Sequence, residues 1–95
     1  MESHEFTVIY ISGILRARLE GIIDDRQALA ELIEKLLEAI PDLTFLDIYD
    51  VSRLSDIVDS LNELAESTSV DLSNELDRLV KTLYELCYSI NVTLM

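Results

Sequence analysis

One histidine, His4, and one cysteine, Cys87, are the only side chains in this sequence suited to imidazole or thiol chemistry. A Ser-His-Asp or Cys-His arrangement would have to use His4. That residue stands near the N-terminus, where a side chain is hard to hold in a catalytic geometry. Cys87 lies one position past a leucine seam and reads as a small buried hydrophobe. A reactive thiolate needs positive charge beside it, and the last segment offers only Arg78 and Lys81. A single cysteine excludes an intramolecular disulfide and a cysteine-based zinc cluster. The sequence contains no glycine-rich phosphate loop, G-x-S-x-G, H-E-x-x-H, C-x-x-C or D-x-D-x-D-G pattern. Carboxylates are many, but no apolar pocket marks a pair of them for acid/base work. The expectation is a protein that is not an enzyme, with no catalytic residues, no metal ligands and no cofactor.

The carboxylates have a pattern of their own. Asp56, Asp59, Glu63 and Glu66 stand at i, i+3, i+7 and i+10, so on a helix they form one stripe. From Asp42 to Asp77 there are ten acidic residues and one basic residue, Arg53. A stripe of this kind can receive a basic patch on another protein, with electrostatic steering and fast association. It can also imitate a row of DNA phosphates and block a nucleic-acid-binding protein, as small acidic phage inhibitors do. Direct nucleic-acid binding is not expected, because it needs clustered Lys and Arg. The formal net charge of -12 also disfavours docking on an anionic membrane surface.

Asp59-Ser60-Leu61 resembles the Asp-Ser-Leu site of acyl carrier proteins, small acidic four-helix domains that carry phosphopantetheine on the serine. The resemblance covers three residues together with size and charge, and it implies a carrier function through Ser60. In that family the serine follows a loop at a helix start. Here it falls inside the helical pattern of residues 52–66, with no glycine turn before it.

The elements that must position these residues are read from composition and periodicity. The 95 residues suffice for one domain, 1–95, and 49% of them are apolar. Two glycines and one proline are too few for the turns of a β-sandwich and favour helices. No basic leader precedes an apolar segment, and the longest apolar stretch, Phe6 to Leu15, is too short to span a bilayer. A reducing, cytoplasmic compartment is expected, so the Asn91-Val92-Thr93 sequon reads as chance.

A first helix is expected from a Ser3 cap, with Phe6, Ile9, Tyr10, Ile14 and Ala17 on one side and Val8, Ile11, Leu15, Leu19 and Ile22 on another. Only Ser12, Arg16 and Glu20 look solvated, with the last two able to pair. The competing reading is a strand over Thr7 to Ile11, where β-branched residues are dense. Gly13, Ala17 and Gly21 are four apart, and with Ile9 they mark a face that another backbone could approach closely. Asp24 or Asp25 can cap a second helix, with Gln27 as capping-box partner, a stripe of Leu29, Leu32, Ile33, Leu36, Leu37 and Ile40, and Pro41 at its end. The first two helices could instead be one long kinked helix.

Thr44 with Asp47 is another possible helix start, from which Phe45, Leu46, Ile48 and Tyr49 would form a short helix or an ordered connector, and a third main helix follows near Ser52. Its inner face is Leu54, Ile57, Val58, Leu61, Leu64 and Ala65. Residues 66–69 read as a loop of capping residues, and Ser69 or Asp71 opens the last helix. Leu72, Leu76, Leu79, Leu83, Leu86 and Ile90 follow a 4-3-4-3-4 spacing, the seam of a bundle helix. Residues 91–95 are expected to fray. The fold class read from the sequence is all-α, a small antiparallel bundle of about four helices. The function read from it is a protein-interaction or regulatory module. The expected partner is another protein, for which the acidic stripe makes a basic one a candidate, and the apolar first helix suggests a homodimer.

Overall fold

Two short strands lie near the two ends of the described residues. In the computed structural model, which describes residues 7–67 and 71–95, β1 (Thr7–Ile9) pairs in parallel with β2 (Val92–Leu94). The register sets Thr7 against Val92, Val8 against Thr93 and Ile9 against Leu94. Between the strands lie α1 (Ser12–Leu19), α2 (Asp25–Ala39), a single 3₁₀ turn (Ile40–Asp42), α3 (Ile48–Glu66) and α4 (Leu72–Ser89). Among the described residues the protein is therefore mostly helical, with four α-helices, but it also has a small parallel sheet that an all-α fold lacks.

Two expectations are corrected by that sheet. The continuous first helix does not form, because the β-branched run Thr7-Val8-Ile9 takes the extended backbone such residues favour. The tail after Asn91 does not fray either. Val92 is 3% exposed, and Met95 closes the register: its N–H donates to the Ile9 carbonyl, and its own carbonyl accepts from Ile11 and Ser12. Asn91 makes this possible with a φ of 63°, the left-handed conformation that asparagine tolerates and that turns the chain out of α4 into β2. The Ser3 cap, His4 and Ser69 lie outside the described residues.

Local signals explain the helix boundaries. Gly21 has φ 78° just past α1; its N–H donates to the Arg18 carbonyl, and Ile22 N–H donates to the Ala17 carbonyl. This is the left-handed glycine termination of a helix, and it separates α1 from α2 instead of continuing one kinked helix. Asp24 caps α2 by accepting from the Gln27 amide at 2.8 Å, while the Gln27 side chain turns forward to Glu31 instead of closing a capping box. Pro41 follows the last α-helical residue by two positions and sits in the 3₁₀ turn. Asp47 accepts from Asp50 N–H at 2.9 Å, so α3 starts at Ile48 and not near Ser52.

The core is one continuous cluster. Leu29, Leu32 and Leu36 of α2, Leu54 and Leu61 of α3, and Leu76 and Leu83 of α4 are at most 1% exposed. The leucine seam of α4 lies on this cluster throughout, with Leu72 and Leu79 half-buried at its margin. Ile9, Ile11 and Ile14 belong to the same cluster. Of the apolar residues that suggested an interface on the first segment, these three are buried, whereas Tyr10, Leu19 and Ile22 are 66%, 87% and 72% exposed.

Arg18 ties the first turn of the fold together. Its Nε donates to Asp25 at 2.6 Å and one Nη to Asp77 at 2.7 Å, while the other Nη reaches the Ser73 carbonyl and hydroxyl. Desolvation works against this guanidinium, but the hydrogen bonds and charges of Asp25 and Asp77 outweigh it and raise its pKa. Arg26 plays a second tying role, donating to the Ala65 and Ser67 carbonyls at the C-terminus of α3. It supplies from α2 the cation that this helix end lacks in its own last turn.

Candidate functional site

The acidic stripe falls where its spacing placed it, on the outer side of α3. At about 100° per residue, Leu54, Ile57, Val58, Leu61 and Leu64 point to the core, and Asp56, Asp59, Glu63 and Glu66 point the opposite way. All four carboxylates are exposed, and among the described residues none of them lies in an ion pair. Like charges three and four residues apart on a helix repel by a few tenths of a kcal/mol per pair. Arg53, the lone cation of α3, turns aside to Asp50, and Arg78 of α4 shares a groove with Glu63 but pairs with Glu75. A solvated face would be equally soluble with mixed charges, so the arrangement concentrates field at some expense in helix stability.

The same face carries an apolar end that the sequence pattern hid in a connector. Since α3 begins at Ile48, both Ile48 and Tyr49 stand on its outer side, 83% and 76% exposed. Phe45, just before the helix, is 42% exposed. Along α3, about 28 Å from end to end, two large apolar side chains are followed by four carboxylates. An exposed aromatic ring thus stands at one end of the charged stripe. The earlier start of α3, set by the Asp47 cap, was the signal that placed Ile48 and Tyr49 on this face.

The other expected contact residues are scattered. Ile9 is 3% exposed within the core. Gly13 is exposed on α1, and a Cβ built there would meet nothing within 4 Å. Ala17 is half-buried, and Gly21 lies beyond the helix as its terminating residue. They form no close-packed stripe, because the helix they were to share ends at Leu19 and begins only at Ser12. Arg16 and Glu20 make no ion pair among the described residues.

Ser60 lies in the middle of α3, half-buried beside the groove toward α4. A phosphopantetheine site needs its serine at a helix start, free to carry a long swinging arm. The mid-helix position does not fit that group, and no carrier chemistry follows from it. No group of three or more His, Cys, Asp or Glu side chains that could hold a metal ion occurs among the described residues.

Cys87 is 1% exposed, and burial pushes its thiol up from 9.0 to about 11. The thiol is therefore neutral and poorly nucleophilic near pH 7. A raised folded-state pKa contributes stability in full below the unfolded value and loses it as pH rises through the folded value. Unfolding free energy should thus fall between about pH 9 and pH 11 by roughly 2–3 kcal/mol more in the native sequence than in Cys87→Ala. Urea titrations of both proteins across that window measure the difference. Parallel pH profiles would show that the thiol is not desolvated.

The fold and this surface together define a small, acidic, mostly helical protein with a parallel strand pair and a charged outer helix face. Compared with known proteins, the chain matches no family model, no curated protein and no solved structure. No helix among the described residues is long and apolar enough to cross a membrane.

Proposed function

We propose that this chain, a helical bundle of antiparallel type closed by its terminal strands, is a protein-binding, regulatory module. It acts through the outer face of α3 on a partner with a basic surface. The observation that carries the reading is the run of exposed Ile48 and Tyr49 into exposed Asp56, Asp59, Glu63 and Glu66 on one side of one helix. The carboxylates raise the encounter rate with a Lys- or Arg-rich surface, and the apolar end supplies contact that salt does not screen. The partner's cations replace the missing counter-charges along the stripe, so repulsion within the free helix is relieved on binding.

The reading predicts that a basic protein is captured from source-cell lysate by the immobilised native protein and not by the Asp59→Lys/Glu63→Lys variant. Both residues are exposed, so the fold should be unaffected, which circular dichroism checks. Equal capture by both proteins would remove α3 as the docking face. Whether the captured protein is a nucleic-acid-binding one separates a general interaction module from a mimic of DNA phosphates. That is settled by competing the capture with duplex DNA: displacement is expected only for the mimic.

A further inference from the structure

The two strands present two free edges with different surroundings. In the parallel ladder, Ile9 and Met95 turn their peptide groups toward each other's strand, so Val8 and Tyr10 on β1 and Val92 and Leu94 on β2 turn theirs outward. The depression beside the β1 edge is lined in part by Lys35, Glu38 and Asp42, and flanking charges are a usual guard on an open strand. Among the described residues the β2 edge has no such guard. Beside it runs a groove of about 610 Å³ between β2 and the end of α4, where Tyr84, Cys87 and Tyr88 form the helical wall. None of its lining residues has a charged side chain, and residues 87–95 contain none in a chain of net charge -12.

We propose that this groove is the contact between two copies of the chain, related by a two-fold axis. Two molecules that each carry a charge of -12 repel, and they meet at least cost through the surface that bears none. A basic partner finds no counter-charge in the groove and is drawn to α3 instead. On the same side of α4, Lys81 and Glu85 stand three residues before Tyr84 and Tyr88, and both are exposed. A two-fold arrangement sets Lys81 of one copy against the partner's Glu85, and the reverse, which makes the patch complementary to itself. Tyr88, 87% exposed, and Tyr84, 39% exposed, supply the aromatic contact. The acidic face of α3 takes no part, so a dimer built this way leaves both partner-binding faces open.

Sedimentation velocity over roughly 1–200 μM tests this directly. The expected result is a monomer–dimer equilibrium that strengthens, or holds, as salt rises, because screening reduces the net repulsion. Tyr88→Glu should weaken the dimer at least about tenfold with the fold intact, since this ring is exposed. Lys81→Glu should weaken it as well, and Lys81→Glu combined with Glu85→Lys should restore it. The α3 variant Asp59→Lys/Glu63→Lys should leave the dimer in place. A monomer at every concentration would overturn the proposal. So would a dimer indifferent to Tyr88→Glu, or one abolished by the α3 variant.

Discussion

Deleting Val92–Met95 is expected to lower unfolding free energy by about 4 kcal/mol or more, a large fraction of the 5–15 kcal/mol typical of a small domain. The segment is short, but its losses add. Val92 gives up a fully buried side chain, worth roughly 1.5–3 kcal/mol. The ladder and the Met95 contacts with Ile9, Ile11 and Ser12 give up hydrogen bonds worth roughly 0.5–1.5 kcal/mol each. Ile9 and Ile11, now 3% and 0% exposed, lose the strand that covers their side of the core. The midpoint of urea unfolding should fall sharply, with the helical signal otherwise retained at low denaturant. A change below about 1 kcal/mol would mean that β2 is not docked.

Replacing Arg18 by Lys is expected to cost about 2 kcal/mol, although the charge is kept. The guanidinium spans Asp25, Asp77 and Ser73 at once, and one ammonium cannot reproduce that fork. The Asp77 arm is discounted, because that carboxylate is 61% exposed and screened by solvent. The arm to Asp25 is stronger: the arginine side chain is 16% exposed and the carboxylate 32%. Because the arginine stays protonated across the working pH range, the loss should be the same at pH 6 and pH 8. Thermal unfolding of the two proteins gives the figure, and equal stability would show that the tether is ornamental.

Neither prediction rests on a feature legible in the sequence, because the strand pair and the Arg18–Asp77 contact both join residues far apart in the chain. The leucine seam from Leu72 to Ile90 was legible because one spacing persisted over five turns and every position had the same task. Asp24 and the loss of helix at Pro41 were legible because capping and proline are local effects. The strand pair was not. Each strand has three residues, too few to show a period, and its partner lies at the other end of the chain. Thr7-Val8-Ile9 showed β-branching, but no local signal announced Val92-Thr93-Leu94 as its mate. Asn91 reads as an ordinary polar residue until its positive φ is seen.

The candidate site divides in the same way. The carboxylate stripe was readable because i, i+3, i+7 and i+10 share a face on any helix. Its apolar end was missed because Asp47, not Ser52, opens α3, which moves Ile48 and Tyr49 from a connector onto the stripe's face. Gly13, Ala17 and Gly21 misled for the opposite reason. Their spacing is meaningful only if one helix contains all three, and Gly21 is the residue that ends it.

The central claim is that the outer face of α3 holds a basic partner by charge. Its most direct measurement is the affinity for the captured partner as salt rises from about 0.05 to about 0.5 M, made with the native protein and with Asp59→Lys/Glu63→Lys. Native affinity should fall at least about tenfold over this range, and the variant should show no binding at any salt. Affinity that is level with salt and indifferent to the charge reversal would contradict the account.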